Sequence, residues 1–383
     1  MAVLLLSGSV ALRNFSHPFA VNGGIYSDHF SHVGSTVLFA AKRLDIYRHT
    51  VQQNLTRSEA RKDLAYAEAN QLGTAELYVN PLDPARPPLA INWSFQIRAY
   101  PPGVYVIFAP LAFLFQHEIV GFAMSNRIII GVLVLIASAS AWMLLRWSLS
   151  PRPVSGSAGM GLRLVPVALS ILWIALWSVR GFYDVVPLVL VFLSLRALEA
   201  DDGIGALLWY CLAVFLHYRA LYYLPVVGFA LPSIVRVGRT RGFASMFLRP
   251  AVVLALLAAA ASAVTFLIAL PQLESFRANN ALYHAWSHAR SQVWLLGVAA
   301  ACIALSVAAR DFRTAACLAC YLVILVNTPQ TYPWHTLFLT PMLVLASRHS
   351  TGRAANAQVI ATVTLAVALA IGVYGVSSDT LGW

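Results

Sequence analysis

Residues 127–146 read RIIIGVLVLIASASAWMLLR, an uncharged apolar run closed at each end by an arginine. A bilayer core about 30 Å thick needs roughly 20 apolar residues in a helix that rises about 1.5 Å per residue, and this run supplies that length. Its pattern recurs along the chain. Span candidates follow at 164–179, 185–198, 204–216, 220–235, 250–270, 292–309, 314–327, 336–347 and 356–376, with two shorter apolar segments at 1–12 and 101–116.

The composition agrees with that reading. Of 383 residues, 59% are hydrophobic and 11% charged, with a mean hydropathy of +0.71, values foreign to a water-soluble domain of this size. No ten-residue alternating segments suggest a transmembrane barrel, so the expected fold is all-α: a polytopic transmembrane helical bundle of about 11 spans. The chain reads as one domain, 1–383, made of a first loop over 13–126 and a helical bundle over 127–383.

Lys and Arg total 26 against 15 Asp and Glu, and all the basic residues but Lys42 and Lys62 are arginines spread along the loops. With no dense cluster and no nucleic-acid motif, the +11 charge points to membrane topology and to anionic lipid or phosphate partners rather than nucleic acid. Cys211, Cys302, Cys317 and Cys320 all fall inside candidate spans, where they read as small core residues without a disulfide framework. MAVLLLSGSVALR at the start has an apolar core but no basic leader and no cleavage site, so a cleaved signal peptide is not expected.

Alternating the connections from residue 146 onward gathers twelve arginines on one side, Arg146, Arg236, Arg310 and Arg348 among them. Only Arg127, Arg180, Arg219, Arg277 and Arg290 remain on the other. The rule that basic loops stay inside makes the first side cytoplasmic and exposes Arg180–Asp184, His217–Arg219, a loop at 271–291 and TYPWH at 331–335 outside. Parity then lets only one of 1–12 and 101–116 cross, and charge alone leaves both alternatives open. A start codon assigned too late would account for the shortness of 1–12.

In the first loop, Phe30, Val33, Val37, Ala41 and Leu44 fall at helical spacing with polar residues around the rest of the circumference, the pattern of an amphipathic helix lying on the membrane. A more polar helix is expected from Ser58 to about Asn70, and NPLDPARPP at 80–88 reads as a loop.

Ionisable groups at a membrane boundary are costly and point first to function, which makes the outer polar residues the candidates. Asp28 follows Ser27 at the head of the amphipathic helix, where a carboxylate either complements the helix dipole or, kept ionised by it, accepts a proton. His32 shares its face at i+4, but the stretch holds no third or fourth metal ligand. HYRALYYLP at 217–225 interrupts an apolar run, so His217 and Arg219 either snorkel at a helix turn or bind an anion, for which guanidinium geometry suits phosphate. His335, in TYPWH, heads a span and either belongs to the interfacial belt or donates to a phosphate. Arg180 and Asp184, spaced i and i+4, are expected to pair with each other. No P-loop, GxGxxG, GxSxG, HExxH or DxD occurs, which removes support for soluble-nucleotide chemistry and for a metal cage; no metal and no cofactor are expected.

The order of these pieces is similar to that of the GT-C glycosyltransferases that use polyprenyl-phosphate sugars. A first helix is followed by SDHF and LDIY on an outer amphipathic helix, by AYPPGVYVIFAPLAFLF, and by a bundle with HYR and YPWH at outer helix ends. The chain most resembles glycosyltransferase family 87, which contains the phosphatidylinositol mannosyltransferases. Asp28, Asp45-Ile46-Tyr47, and Tyr100-Pro101-Pro102 with Pro110 match that family's early aspartate, helix-ending tyrosine and YPP segment. A histidine after Asp28, where a second acid would stand, separates it from the metal-dependent members of the superfamily.

The resemblance implies that 1–12 crosses, that 13–126 lies outside, and that 101–116 dips into the membrane without crossing. It implies a multi-pass enzyme of the bacterial inner (plasma) membrane, acting in cell-envelope glycolipid biosynthesis, with Asp28 as general base. Arg219, His335, His217 and Arg98 would surround the donor phosphate, while His32, Tyr100, Tyr218 and Tyr332 would line the substrates. The partners are a polyprenyl-phosphate sugar, a lipid or glycan acceptor, and membrane lipids. A transporter or flippase of lipid-linked sugars would also carry cations along a membrane path, but inverted repeats are lacking.

Overall fold

The computed structural model describes residues 36, 100–117, 119–120, 122–149, 160–179, 181–242, 245, 249–327, 333–349 and 356–366. Among them every regular element is helical: α1 (Pro102–Gln116), α2 (Phe122–Leu149), α3 (Met160–Val179), α4 (Val185–Glu199) and α5 (Gly203–Leu216). A 3-10 helix, Tyr218–Tyr223, then leads to α6 (Pro225–Arg241), α7 (Pro250–Ala308) and α8 (Phe312–Asn327). A second 3-10 helix, Pro333–Leu339, precedes α9 (Thr340–His349), and α10 covers Asn356–Ala366. The amphipathic helix expected at 28–44 and the polar helix at 58–70 lie outside the described residues, apart from Thr36, which is helical and buried.

Two helical stretches, Arg127–Ser148 and Pro250–Ile268, are long and apolar enough to cross a membrane. Their large apolar side chains are left uncovered, among them Leu135, Trp142, Leu254 and Leu267, which suits a hydrocarbon surrounding and not water. The shorter helices gather behind them. α4 is apolar over its first nine residues and mostly buried, with Val185, Leu188, Val191 and Phe192 fully covered and Arg196 exposed near its end. It packs against α5, which also meets α6 and α7, while α3 lies between α2 and α9.

Local chemistry sets the boundaries. α3 closes with Gly181 at positive φ (78°), where Phe182 N donates to Trp177 O and Gly181 N to Ser178 O, the paired bonds of a glycine-terminated helix end. α5 opens on Asp202, whose side chain accepts from Gly205 N at 2.9 Å, and Gly203 allows close contact with α6 because a Cβ there would meet Ala230 O at 2.5 Å. The apolar run expected as a single span over 220–235 is divided: Pro225, lacking an N–H, begins α6 at its first turn, and the residues before it wind as a 3-10 helix. The run at 336–347 is divided in the same way, with Pro341 in the first turn of α9.

One expectation is corrected. Residues 271–291 were to form an outer loop between two spans, but α7 is a single helix of 59 residues. Polarity rises there without any helix breaker after Pro271: the segment has four alanines, two leucines and two arginines and contains no glycine, so helical hydrogen bonding continues where hydropathy falls. Its two ends join the same bundle. Thr265 meets Tyr218, and Ser306 accepts from Gln358 of α10.

The cysteines are free thiols, three buried and Cys320 half-buried. At the end of α4 remote from its start, Glu199 receives Arg348 Nε on both oxygens at 3.0 and 3.2 Å and Trp147 Nε1 at 2.8 Å, with the guanidinium 4.9 Å from the Trp147 ring centre.

α1 docks on α5 through Gly103, where an added Cβ would lie 2.5 Å from Phe215 O. Gly103→Ala should therefore cost about 1–3 kcal/mol, whereas Gly131→Ala, with nothing within 4 Å, should leave stability unchanged. Unfolding of the two purified variants checks this, and equal stability would refute the docking.

Candidate functional site

Three segments marked out by the sequence meet at the end of the bundle where α4 begins. The glycine-terminated turn after α3 carries Tyr183 and Asp184 inward; Asp184 is 1% exposed. Across from it, α5 stops because His217 is extended (φ −157°, ψ 131°) and acts as N-cap of the following 3-10 helix, its Nδ1 accepting from Arg219 N at 3.1 Å. That break turns Arg219 toward α4. Its Nη1 donates to Asp184 Oδ1 at 2.5 Å, and His217 Nε2 lies 3.4 Å from the same oxygen.

Asp184 pairs with Arg219 and His217; Arg180, its expected i, i+4 partner, lies outside the described residues. Gly181 ends α3 ahead of Asp184, so Asp184 is carried on the turn and not on that helix. A signal for Asp184 did exist: it is the only acid between Glu118 and Glu199, and a lone buried carboxylate requires a cation. The sequence could not say which cation.

The geometry assigns the His217 tautomer. A nitrogen that accepts a backbone N–H carries no proton, so Nδ1 is bare and the proton of the neutral ring sits on Nε2, facing Asp184. A second proton, on Nδ1, would face the Arg219 N–H and break the cap.

Tyr100, at the head of α1, stands edge-on to His217 with ring centroids 6.3 Å apart. Phe108, two turns along α1, packs on Tyr183 at 5.3 Å. The second 3-10 helix joins from the other side: Tyr223 donates to Phe338 O, and the Tyr222 ring lies 5.6 Å from that of Phe338. Tyr218 turns away to α7, sharing a 3.0 Å hydrogen bond with Thr265. Burial, opposed by that bond, pushes its phenol up to about 12; burial and then the Asp184 charge push Tyr183 up. Neither phenol is a base at neutral pH.

Of the residues expected at the site, Tyr100, His217 and Arg219 are brought together, and Tyr218 adjoins them in sequence but faces α7. His335 lies in the second 3-10 helix, whose backbone is described there without that side chain. Asp28, His32, Arg98 and Tyr332 lie outside the described residues. No group of three or more potential metal-binding side chains occurs among the described residues.

No protein-family model, curated protein or solved structure matches the chain.

The site makes one spectroscopic prediction. Imidazole nitrogen NMR should find the His217 proton on Nε2 alone across neutral pH, and a proton on Nδ1 would disprove the cap.

Proposed function

We propose that the protein is a membrane glycosyltransferase that moves a sugar from a polyprenyl-phosphate donor to a lipid or glycan acceptor at the extracytoplasmic face, in a bundle of about 11 spans. What supports this reading is the approach of Tyr100 to His217. It joins the YPP segment to the HYR segment, two stretches far apart in the chain that the family resemblance singles out independently. The arginine-poor end at which they meet is the outer one by charge.

The chemistry follows from what such a transfer needs. Breaking the bond between the anomeric carbon and the phosphate oxygen builds positive charge on the sugar and negative charge on the leaving lipid phosphate, while the acceptor oxygen attacks from the opposite face and loses its proton. Asp28 takes that proton. Arg219, with Arg98 and His335, offsets the charge of the departing phosphate, as fixed cations do at other phosphoryl sites. His217, both of whose nitrogens are engaged or directed within the fold, supports Arg219 from behind. Tyr100, His32, Tyr218 and Tyr332 shape the chamber around the sugar and the acceptor. A single displacement inverts the anomeric centre. The polyprenyl tail keeps the donor in the bilayer, which is why the enzyme has to be there too.

Asp28→Asn should lower sugar transfer from polyprenyl-phosphate sugars by about 100-fold or more while the purified protein keeps its helical content. Transfer at the wild-type rate would eliminate Asp28 as the base.

A further inference from the structure

Asp184 has no part in the reaction as described, yet it is the buried charge at this end of the bundle. Its two oxygens differ. Oδ1 receives Arg219 Nη1 and faces His217 Nε2, while Oδ2 is buried with no hydrogen-bond partner among the described residues. α4 supplies its own comparison, since the acid at its other end, Glu199, has both oxygens occupied by Arg348 and Trp147. The Glu199 cluster is arranged as a fully satisfied anchor. The Asp184 cluster is not, although a half-satisfied buried carboxylate costs stability and a buried ion pair is seldom more stable than an apolar replacement.

What Asp184 does secure is direction. A guanidinium on a flexible stem has many orientations, and Asp184 fixes one by holding Nη1 on a rigid turn whose own geometry is set by Gly181. The His217 ring, capped through Nδ1 and flanked by Tyr100, closes the side from which Arg219 could swing away. Arg219 is 19% exposed and Asp184 1%, so the cation reaches the surface of the cluster and the carboxylate stays behind it.

We infer that Asp184 is a positioning residue of the lipid-phosphate site, holding the Arg219 guanidinium in the direction from which it meets the donor phosphate. The inference rests on the donor chemistry proposed above. Asp184 itself touches no substrate.

The test uses the full chain in lipid nanodiscs and compares the binding of a polyprenyl phosphate with that of the matching polyprenol. Wild type should prefer the phosphate. Asp184→Asn should reduce that preference about tenfold or more, the weight of a charge-assisted contact, at unchanged affinity for the polyprenol. Glu199→Gln, at the far end of α4, should lower the unfolding temperature and leave the preference intact. A merely structural Asp184 would behave like Glu199, so an undiminished phosphate preference in Asp184→Asn overturns the inference. Should that variant not fold, Asp184→Glu replaces it: the carboxylate is kept but displaced by one methylene, and loss of the preference supports positioning while retention overturns it. Absence of any phosphate preference in wild type would remove the donor reading together with this inference, and that failure is seen without any variant.

Discussion

The ion pair between Asp184 and Arg219 is the constraint around which the upper part of this bundle is arranged. A guanidinium carried into an apolar core without a counter-charge costs several kcal/mol, so the chain must deliver a carboxylate to it from elsewhere. Delivery depends on two interruptions. Gly181 ends α3 and starts a turn that carries Asp184 inward, and His217 ends α5 so that Arg219 leaves the line of the helix. Neither break is useful alone: a continuous α5 would aim Arg219 along its own face, and a continuous α3 would leave Asp184 on another.

The same helix that starts at this pair ends at a second. α4, about 22 Å long by its 15 residues, is bounded by Asp184 at one end and Glu199 at the other, with apolar side chains filling the space between. Each acid engages an arginine from a distant segment, Arg219 after α5 and Arg348 at the end of α9. A purely apolar helix in an apolar surrounding has little to fix its depth or rotation, because sliding exchanges one hydrocarbon contact for another. Ion pairs at both ends supply that register.

Much of this was readable from the residues. Uninterrupted apolar runs gave α2, α3, α4 and α5 nearly to their ends, and the cysteines were correctly read as free residues within helices. The misreadings share one cause, which is that hydropathy and helix propensity are different quantities. Residues 271–291 lose hydropathy but keep helix formers, so the loop expected there is helix; 220–235 keeps hydropathy but contains Pro225, so the helix expected there is divided. The site was half legible. HYR stood out because it interrupts an apolar run, and Tyr100 because it opens the YPP segment, but that the two adjoin follows from packing of α1 on α5 through Gly103, a contact that no spacing encodes. Asp184 was visible as an isolated acid, but its pairing with Arg219 and His217 depended on the turn at Gly181 and the break at His217, which no spacing encodes.

The division between the two aspartates follows from physics as well as from position. A general base must reach the hydroxyl it deprotonates and must exist with a lone pair free to receive the proton. Asp184 fails the first need, because it is buried at 1% exposure, and protonating it would strip Arg219 of its counter-charge. Of the remaining acids between residue 127 and the end of the chain, Glu199, Asp201, Asp202 and Asp311 sit at the arginine-rich end, Glu274 lies within α7, and Asp379 lies outside the described residues. In the reaction proposed above the base comes from the first loop, where the sequence is expected to set Asp28 at the head of a helix whose dipole would keep a carboxylate ionised. In that proposal the bundle would hold the cation and the loop would bring the acid, so that the leaving phosphate and the incoming hydroxyl would be served by separate parts of the chain approaching the sugar from opposite sides.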